Sequence, residues 1–202
     1  MDHAVAIVEA YLQINGYFTV AEYPVIEALG PKQYSTATDL DVLAVRFAGA
    51  GRIVPGGGSS FAFQPDPKLG IDGGQPDMLI AEVKEGRAEI NPTAFNPDVL
   101  KVVLARFGCC SAGHASKTAA ALIRKGSVVT HTGHRVRLLA FGSTLNRTGR
   151  QRYASITLGH VIEFIEGYLH DHWAVLRHAH FKHPALGQFM VRKKALTEGR
   201  KG

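Results

Sequence analysis

The chain has 202 residues, of which 46% are hydrophobic and 20% charged, enough apolar material for one full core, which excludes a disordered chain or a stapled mini-protein. Lysine and arginine number 23 against 17 acids, for a net charge of +6 with histidine neutral. The longest apolar runs, such as Val102 to Leu104 and Leu138 to Phe141, fall far short of the roughly 18 residues of a membrane span.

In chain order, the first element expected is a helix from Ala4 to Asn15, capped by Asp2 and closed by Asn15-Gly16. At about 100° per residue, Val5, Ile7, Val8, Tyr11 and Leu12 form its apolar stripe, with Glu9 at the border. Tyr17 to Ile26, rich in aromatic and β-branched residues, predicts a strand, and Pro24 points to an edge. Thr38 to Phe47 alternates and predicts a second strand. It carries Asp39, Asp41, Leu43, Val45 and Phe47 on one face and Leu40, Val42, Ala44 and Arg46 on the other. Residues 48–75, crowded with glycine and proline, read as a long loop. Met78 to Lys84 predicts a third strand on which Met78, Ile80, Glu82 and Lys84 share a face.

Asn96, Pro97 and Gly108 supply a cap, a first-turn proline and a stop for a helix over Pro97 to Phe107. A short helix is expected over His114 to Lys125, ending at Gly126. Val128 to His131 and Val136 to Phe141 then read as a hairpin about Thr132-Gly133. A long amphipathic helix is expected within 157–182, with Thr157 as its cap and Val161, Ile162, Ile165, Tyr168 and Leu169 at helical spacing. Together these predict a single α/β domain over 1–190, with a mixed, mostly antiparallel sheet flanked by helices, followed by a basic tail over 191–202.

The positive excess is concentrated in two stretches. Arg135, Arg137, Arg147, Arg150 and Arg152 lie in a run without an acid, and the tail carries Arg192, Lys193, Lys194, Arg200 and Lys201 against Glu198. Both stretches are compatible with the backbone of a nucleic acid, held without reading its sequence.

The chemistry-bearing group is Asp41 on one strand with Glu82 and Lys84 on the next. Side chains two apart on a strand point the same way, so Glu82 and Lys84 address one small volume. Two carboxylates from neighbouring strands can hold a hard cation such as Mg²⁺ or Mn²⁺. A lysine beside them can position an attacking water and steady charge on a phosphate. These three groups should converge within about 4 to 6 Å.

The element order, with TDLDVLAVRF and PDMLIAEVKEG, resembles the restriction-endonuclease-like, or PD-(D/E)xK, nuclease superfamily, nearest in look to archaeal Holliday-junction resolvases and related restriction or repair nucleases. The resemblance covers residues 4–141. It implies a restriction-endonuclease-like core and Mg²⁺-dependent hydrolysis of a DNA phosphodiester. Asp41 would be the motif aspartate, Glu82 and Lys84 the ExK pair, Glu9 the first-helix glutamate, and the Val83 carbonyl an added metal ligand. The Gly-rich stretch would be an insertion, since 40 residues separate Asp41 from Glu82.

Pro76-Asp77 spells the motif literally, but Asp77 lies on the opposite strand face from Glu82 and is not the expected ligand. Asp39 stays open as a substitute for Asp41. A non-catalytic nucleic-acid-binding or assembly module is the alternative, and RNA remains open beside DNA, as does a homodimer. The ten histidines lack the companion cysteines and acids of structural zinc sites. Cys109 and Cys110 are adjacent, which is poor geometry for a bridge. They follow a helix C-terminus, which disfavours a thiolate nucleophile. With no basic-then-apolar leader at Met1, Asp2 and His3, a cytoplasmic location is the expectation.

Overall fold

The computed structural model describes residues 2–51, 64–145 and 151–198. Among them are six α-helices and a mixed, curled six-stranded sheet, an α/β architecture. No helix among the described residues is long and apolar enough to cross a membrane.

Helix α1 (His3–Ile14) starts where the Asp2 carboxylate accepts the Ala4 N–H at 2.7 Å, and it ends at Asn15 and Gly16. Strands β1 (Phe18–Gly30) and β2 (Gln33–Arg46) form a long antiparallel hairpin closed through Pro31 and Lys32. Strand β3 (Asp77–Ala88) lies antiparallel to β2 from Val42↔Ala81 to Arg46↔Asp77.

Helices α2 (Pro97–Phe107) and α3 (Ala112–Lys125) then carry the chain across the sheet. Gly108 and Gly126 end them in left-handed conformation, as expected where the chain must turn sharply out of a helix. Strand β4 (Ser127–Val129) turns into β5 (Arg135–Leu145), which runs parallel to β3. Strand β6 (Ala154–Thr157) pairs parallel to the second half of β5 and leads directly into α4 (Leu158–Asp171). The sheet order is β1-β2-β3-β5-β4, so β3 is central.

Alternation along the strands divides the core in two. Val42, Ala44, Leu79, Ala81, Val83, Leu139 and Phe141 pack with α1 and α4. Leu43, Met78, Ile80, Val136, Leu138 and Ala140 pack with α2 and α3 on the other face. Two periods of two residues, one for each face, place a helix layer on both sides of the sheet.

Three expectations change. The helix expected within 157–182 is broken into α4 and α5 (Trp173–Leu176), and a further helix, α6 (Pro184–Glu198), follows it. Pro184 cannot continue a preceding helix but suits the first turn of a new one. The basic tail is therefore helical through Glu198. In the stretch read as a loop, residues 52–63 lie outside the described residues, but Pro67–Leu69 forms a 3₁₀ turn with Asp66 and Leu69 buried. A carboxylate fixes that turn: the Asp66 side chain accepts the Lys68 N–H at 2.9 Å.

Candidate active site

Beyond Val42↔Ala81 the regular β2–β3 ladder ends, and Asp41 takes over its hydrogen bonding with a side chain. The Val83 N–H donates to Asp41 Oδ2 at 2.7 Å. Lys84 Nζ donates to Glu82 Oε2 at 3.1 Å and stands 3.6 Å from Asp41 Oδ2. The expected convergence of the three groups is therefore present, on the α2–α3 side of the sheet that Met78 and Ile80 also face.

The strands continue differently past this point. Between Lys84 and Arg87 the β3–β5 register shifts, and β5 has Gly142 opposite Lys84. A Cβ on Gly142 would stand 2.4 Å from the Ala88 N. Glycine there lets β3 cross close over β5 just after it has delivered its two charged side chains.

The three groups differ in exposure. Glu82 is 1% exposed, and burial, followed by the Asp41 charge, raises its carboxyl above the usual range despite Lys84. Burial pulls the half-exposed Lys84 down, but Glu82 and then Asp41 outweigh it and leave the ammonium held above its ordinary value. The Asn91 N–H also acts on the Glu82 carboxylate and lowers it, but among the described residues the buried Glu82 Oε1 has no hydrogen-bond partner of normal geometry. A buried carboxylate oxygen with no donor is costly, and a cation or a proton would satisfy it. Asp41 and Glu82 thus fit a small oxygen-preferring dication, which takes one or two protein carboxylates and keeps several waters.

Other expected site residues lie elsewhere. Glu9 is buried on α1, whose core partners belong to the opposite sheet face, and its Oε2 lies 3.5 Å from His183 Nε2. It does not join Asp41 and Glu82, and among the described residues no three His, Cys, Asp or Glu side chains group as metal ligands. Asp39 is exposed near the hairpin. Val83 lies between the ExK pair, with its N–H given to Asp41.

Arg137 corrects the expected nucleic-acid surface. It is buried, with Nε donating to Asp77 Oδ1 at 2.9 Å, Nη2 to Asp77 Oδ2, and Nη1 to the Leu69 carbonyl at 2.7 Å. Tyr17 OH donates to the same Asp77 at 2.5 Å. Burial and the Asp77 charge push that phenol upward. A strand that puts Arg137 on an inward face turns a basic residue into a core ion pair.

The remaining basic residues divide as follows. Arg135 donates to the Gly70 carbonyl at 2.7 Å, and Arg152 is exposed. Arg147 and Arg150 lie outside the described residues. On α6, Arg192 pairs with Glu166, Lys193 Nζ is 2.9 Å from His170 Nδ1, and Lys194 is exposed. Burial and then Cys110 push the Cys109 thiol up to about 12, so it stays protonated near neutral pH.

Sequence reasoning missed a buried network around Asp66. Its Oδ2 accepts from Tyr11 OH at 2.6 Å and faces His160 Nε2 at 2.5 Å, and its N–H donates to Asn15 Oδ1 at 2.6 Å. Burial pushes the Asp66 carboxyl up, but the Tyr11, Lys68 and His160 hydrogen bonds outweigh it and hold the carboxyl low. No local spacing signals this network, which joins α1, the 3₁₀ turn and α4. Arg46 was missed as well, although a cation on the apolar face of Val42 and Ala44 was a visible signal; Leu40, expected on that face too, packs on the other side of the sheet.

Compared with family models, curated proteins and solved structures, the chain has no match in any of the three.

Proposed function

We propose that this protein is a metal-dependent nuclease that hydrolyses phosphodiester bonds of DNA at the Asp41, Glu82 and Lys84 group, on a restriction-endonuclease-like core. The observation that carries the reading is the convergence of the three charges where the β2–β3 ladder ends, with one oxygen of Glu82 left without a partner. The order α1-β1-β2-β3-α2-α3-β4-β5 contains the helix, three strands, helix and strand on which the resemblance rests, and supports the reading.

In this mechanism Asp41 and Glu82 would hold Mg²⁺ or Mn²⁺, which when bound would supply charge stabilisation to a phosphate. Asp41 keeps its place through the Val83 N–H. Lys84 stays charged near neutral pH and offers donors both to the carboxylates and to a water approaching the phosphorus. Glu9 has no part in it. The exposed Arg152 and Lys194 supply attraction to the polyanion.

The test is cleavage of linear, branched and single-stranded DNA with Mg²⁺, Mn²⁺ or Ca²⁺, and with excess chelator. Mg²⁺ and Mn²⁺ are expected to support cleavage, while Ca²⁺ supports binding with little cleavage. Asp41→Asn and Glu82→Gln should abolish turnover, and Asp39→Asn should not. Cleavage that survives the chelator, or either site variant, would overturn the mechanism.

A second reading rests on Lys84, whose ammonium already bridges both carboxylates. In a non-catalytic nucleic-acid-binding module it would serve as their permanent counter-ion, and no dication would change the thermal midpoint.

A further inference from the structure

We propose that the cavity lined by Phe95, Gln151, Arg152 and Tyr153 is a nucleobase subsite, taking one unstacked base of the strand whose phosphate meets the Asp41, Glu82 and Lys84 group. That the ligand is a nucleic acid rests on the nuclease reading; the chemistry of the cavity and its place on the sheet do not.

The cavity measures about 360 Å³, with Ile123 completing its lining. The Gln151 side chain is fixed at its oxygen, which accepts from Ser155 Oγ at 3.0 Å. Its Nε2 is buried with no hydrogen-bond partner, a costly arrangement that an acceptor on a ligand would relieve. The Phe95 and Tyr153 rings, each partly exposed, have centroids 6.0 Å apart. Arg152 is exposed and adds a cation. No acid lines the cavity, so it offers aromatic surface, an amide donor and a guanidinium.

The residues that build it are held in place by their neighbours. Gly126, with φ +71°, ends α3 so close to this segment that a Cβ there would fall 1.4 Å from the Arg152 carbonyl oxygen. The Tyr153 hydroxyl accepts the Ile90 N–H at 3.4 Å. Phe95 closes the 3₁₀ turn Pro92–Phe95, which follows directly on Asn91, whose N–H acts on the Glu82 carboxylate.

Strand register relates the cavity to the catalytic group. Glu82 on β3 stands opposite Ala140 on β5, and Ala140 opposite Ser155 on β6. Residues opposite one another share a face, so Ser155, which orients Gln151, lies on the Glu82 face two strand spacings away, about 10 Å. Phe95, Ile123 and Tyr153 pack on the same core as Ala140. One nucleotide covers such a span from its phosphate to the edge of its base.

A flat ring edged with acceptors and joined to a phosphate answers all three groups: a π-face for the rings, a carbonyl for the amide N–H, and negative charge for the guanidinium. A base inside a duplex has both faces covered, so the occupant is a base taken out of the stack or already in a single-stranded region. Because Ser155 occupies the Gln151 oxygen, the amide cannot make the paired contact that reads adenine. It favours a base carbonyl, as on thymine.

The experiment measures anisotropy of short fluorescent oligothymidylate, oligodeoxyadenylate and an abasic strand of equal length, in excess chelator to remove any metal contribution. Tyr153→Leu is expected to weaken binding of the thymine strand by about 5-fold or more, the lower end of what one base–aromatic stack contributes, and to leave the abasic strand unchanged. Gln151→Glu, which turns the donor into an acceptor, should reverse the preference of thymine over adenine. Equal binding of thymine and abasic strands by the parent protein overturns the proposal, as does a Tyr153→Leu that weakens both strands alike. Should Tyr153→Leu fail to fold, the thymine-to-adenine ratio in Gln151→Glu decides, and an unchanged ratio overturns the subsite.

Cleavage measured alongside separates the two readings. Base-dependent binding altered in both variants, with no Mg²⁺-dependent cleavage by the parent protein, would leave the subsite standing and sink the nuclease. Cleavage abolished by Asp41→Asn, with binding indifferent to the base and to both variants, would do the reverse.

Discussion

At its first residue β3 carries Asp77, and five residues later it carries Glu82; both carboxylates are buried beside a basic side chain. Asp77 receives Arg137 on both oxygens and Tyr17 on one, and it is wholly enclosed. Glu82 receives Lys84 on one oxygen and leaves the other unsatisfied, while Asp41 adds a second negative charge nearby. The first cluster meets every requirement of a buried ion pair, and the second violates two of them. Burial of charge alone therefore does not separate the two clusters; incomplete satisfaction together with an accessible partner does, and on the nuclease reading that difference marks the site.

The largest effect should come from breaking the satisfied cluster. Arg137→Ala strands Asp77 in the core and is expected to cost about 3–5 kcal/mol, read from urea unfolding. A loss below about 1 kcal/mol would mean that water or Tyr17 replaces the guanidinium. Next, Gly142→Ala forces a methyl group against the Ala88 backbone and should cost at least about 1–3 kcal/mol. Thermal unfolding measures it, and on the nuclease reading DNA cleavage should fall as β3 shifts behind Lys84.

Glu82→Gln should act in the opposite direction, raising stability at neutral pH by about 0.5–2 kcal/mol. Its sign follows from linkage. The folded Glu82 carboxyl sits above its unfolded value, so its stabilising contribution is complete below the unfolded value and is lost as pH rises through the folded one. Parent and variant should converge in acid and separate as pH rises through that window, with the variant the more stable. Denaturant melts at several pH values would show this, and a separation that instead grows toward acid would reverse the assignment. The smallest effect is expected from Lys84→Met, about 1 kcal/mol or less in stability because the ammonium is more than a third exposed. The raised Lys84 value places the loss of its own contribution in alkali, so the difference should persist at neutral pH and vanish as the parent lysine deprotonates.

Much of this comparison could be read from local sequence. Helix α2 fell within its expected bounds because Asn96, Pro97 and Gly108 act on their immediate neighbours. The ExK pair was legible because a period of two on β3 needs no tertiary information, and the same parity put Asp77 on the other face. Arg137 was misread because its partner lies 60 residues away, and a run of arginines without acids says nothing about which of them turns inward. Strand β6 was missed because four residues leading straight into a helix carry too little pattern of their own. Glu9 illustrates a different limit: a border glutamate can be placed on α1 by angle, but the face of the sheet that α1 covers is decided by contacts distant in sequence.

The central position of β3 bears on when the molecule can first act. The Asp41–Val83 hydrogen bond spans 42 residues, and the parallel β3–β5 pairing closes only after α2 and α3 have crossed the sheet. Such non-local pairings form late because loop closure must precede the contacts that reward it. During synthesis, a chain that has emerged only as far as β3 has both carboxylates and the lysine but lacks the strand on which β3 rests. On the nuclease reading, an unfinished or truncated chain ending before Phe141 does not cleave, and the arrangement of strands by itself delays activity until the sheet is whole.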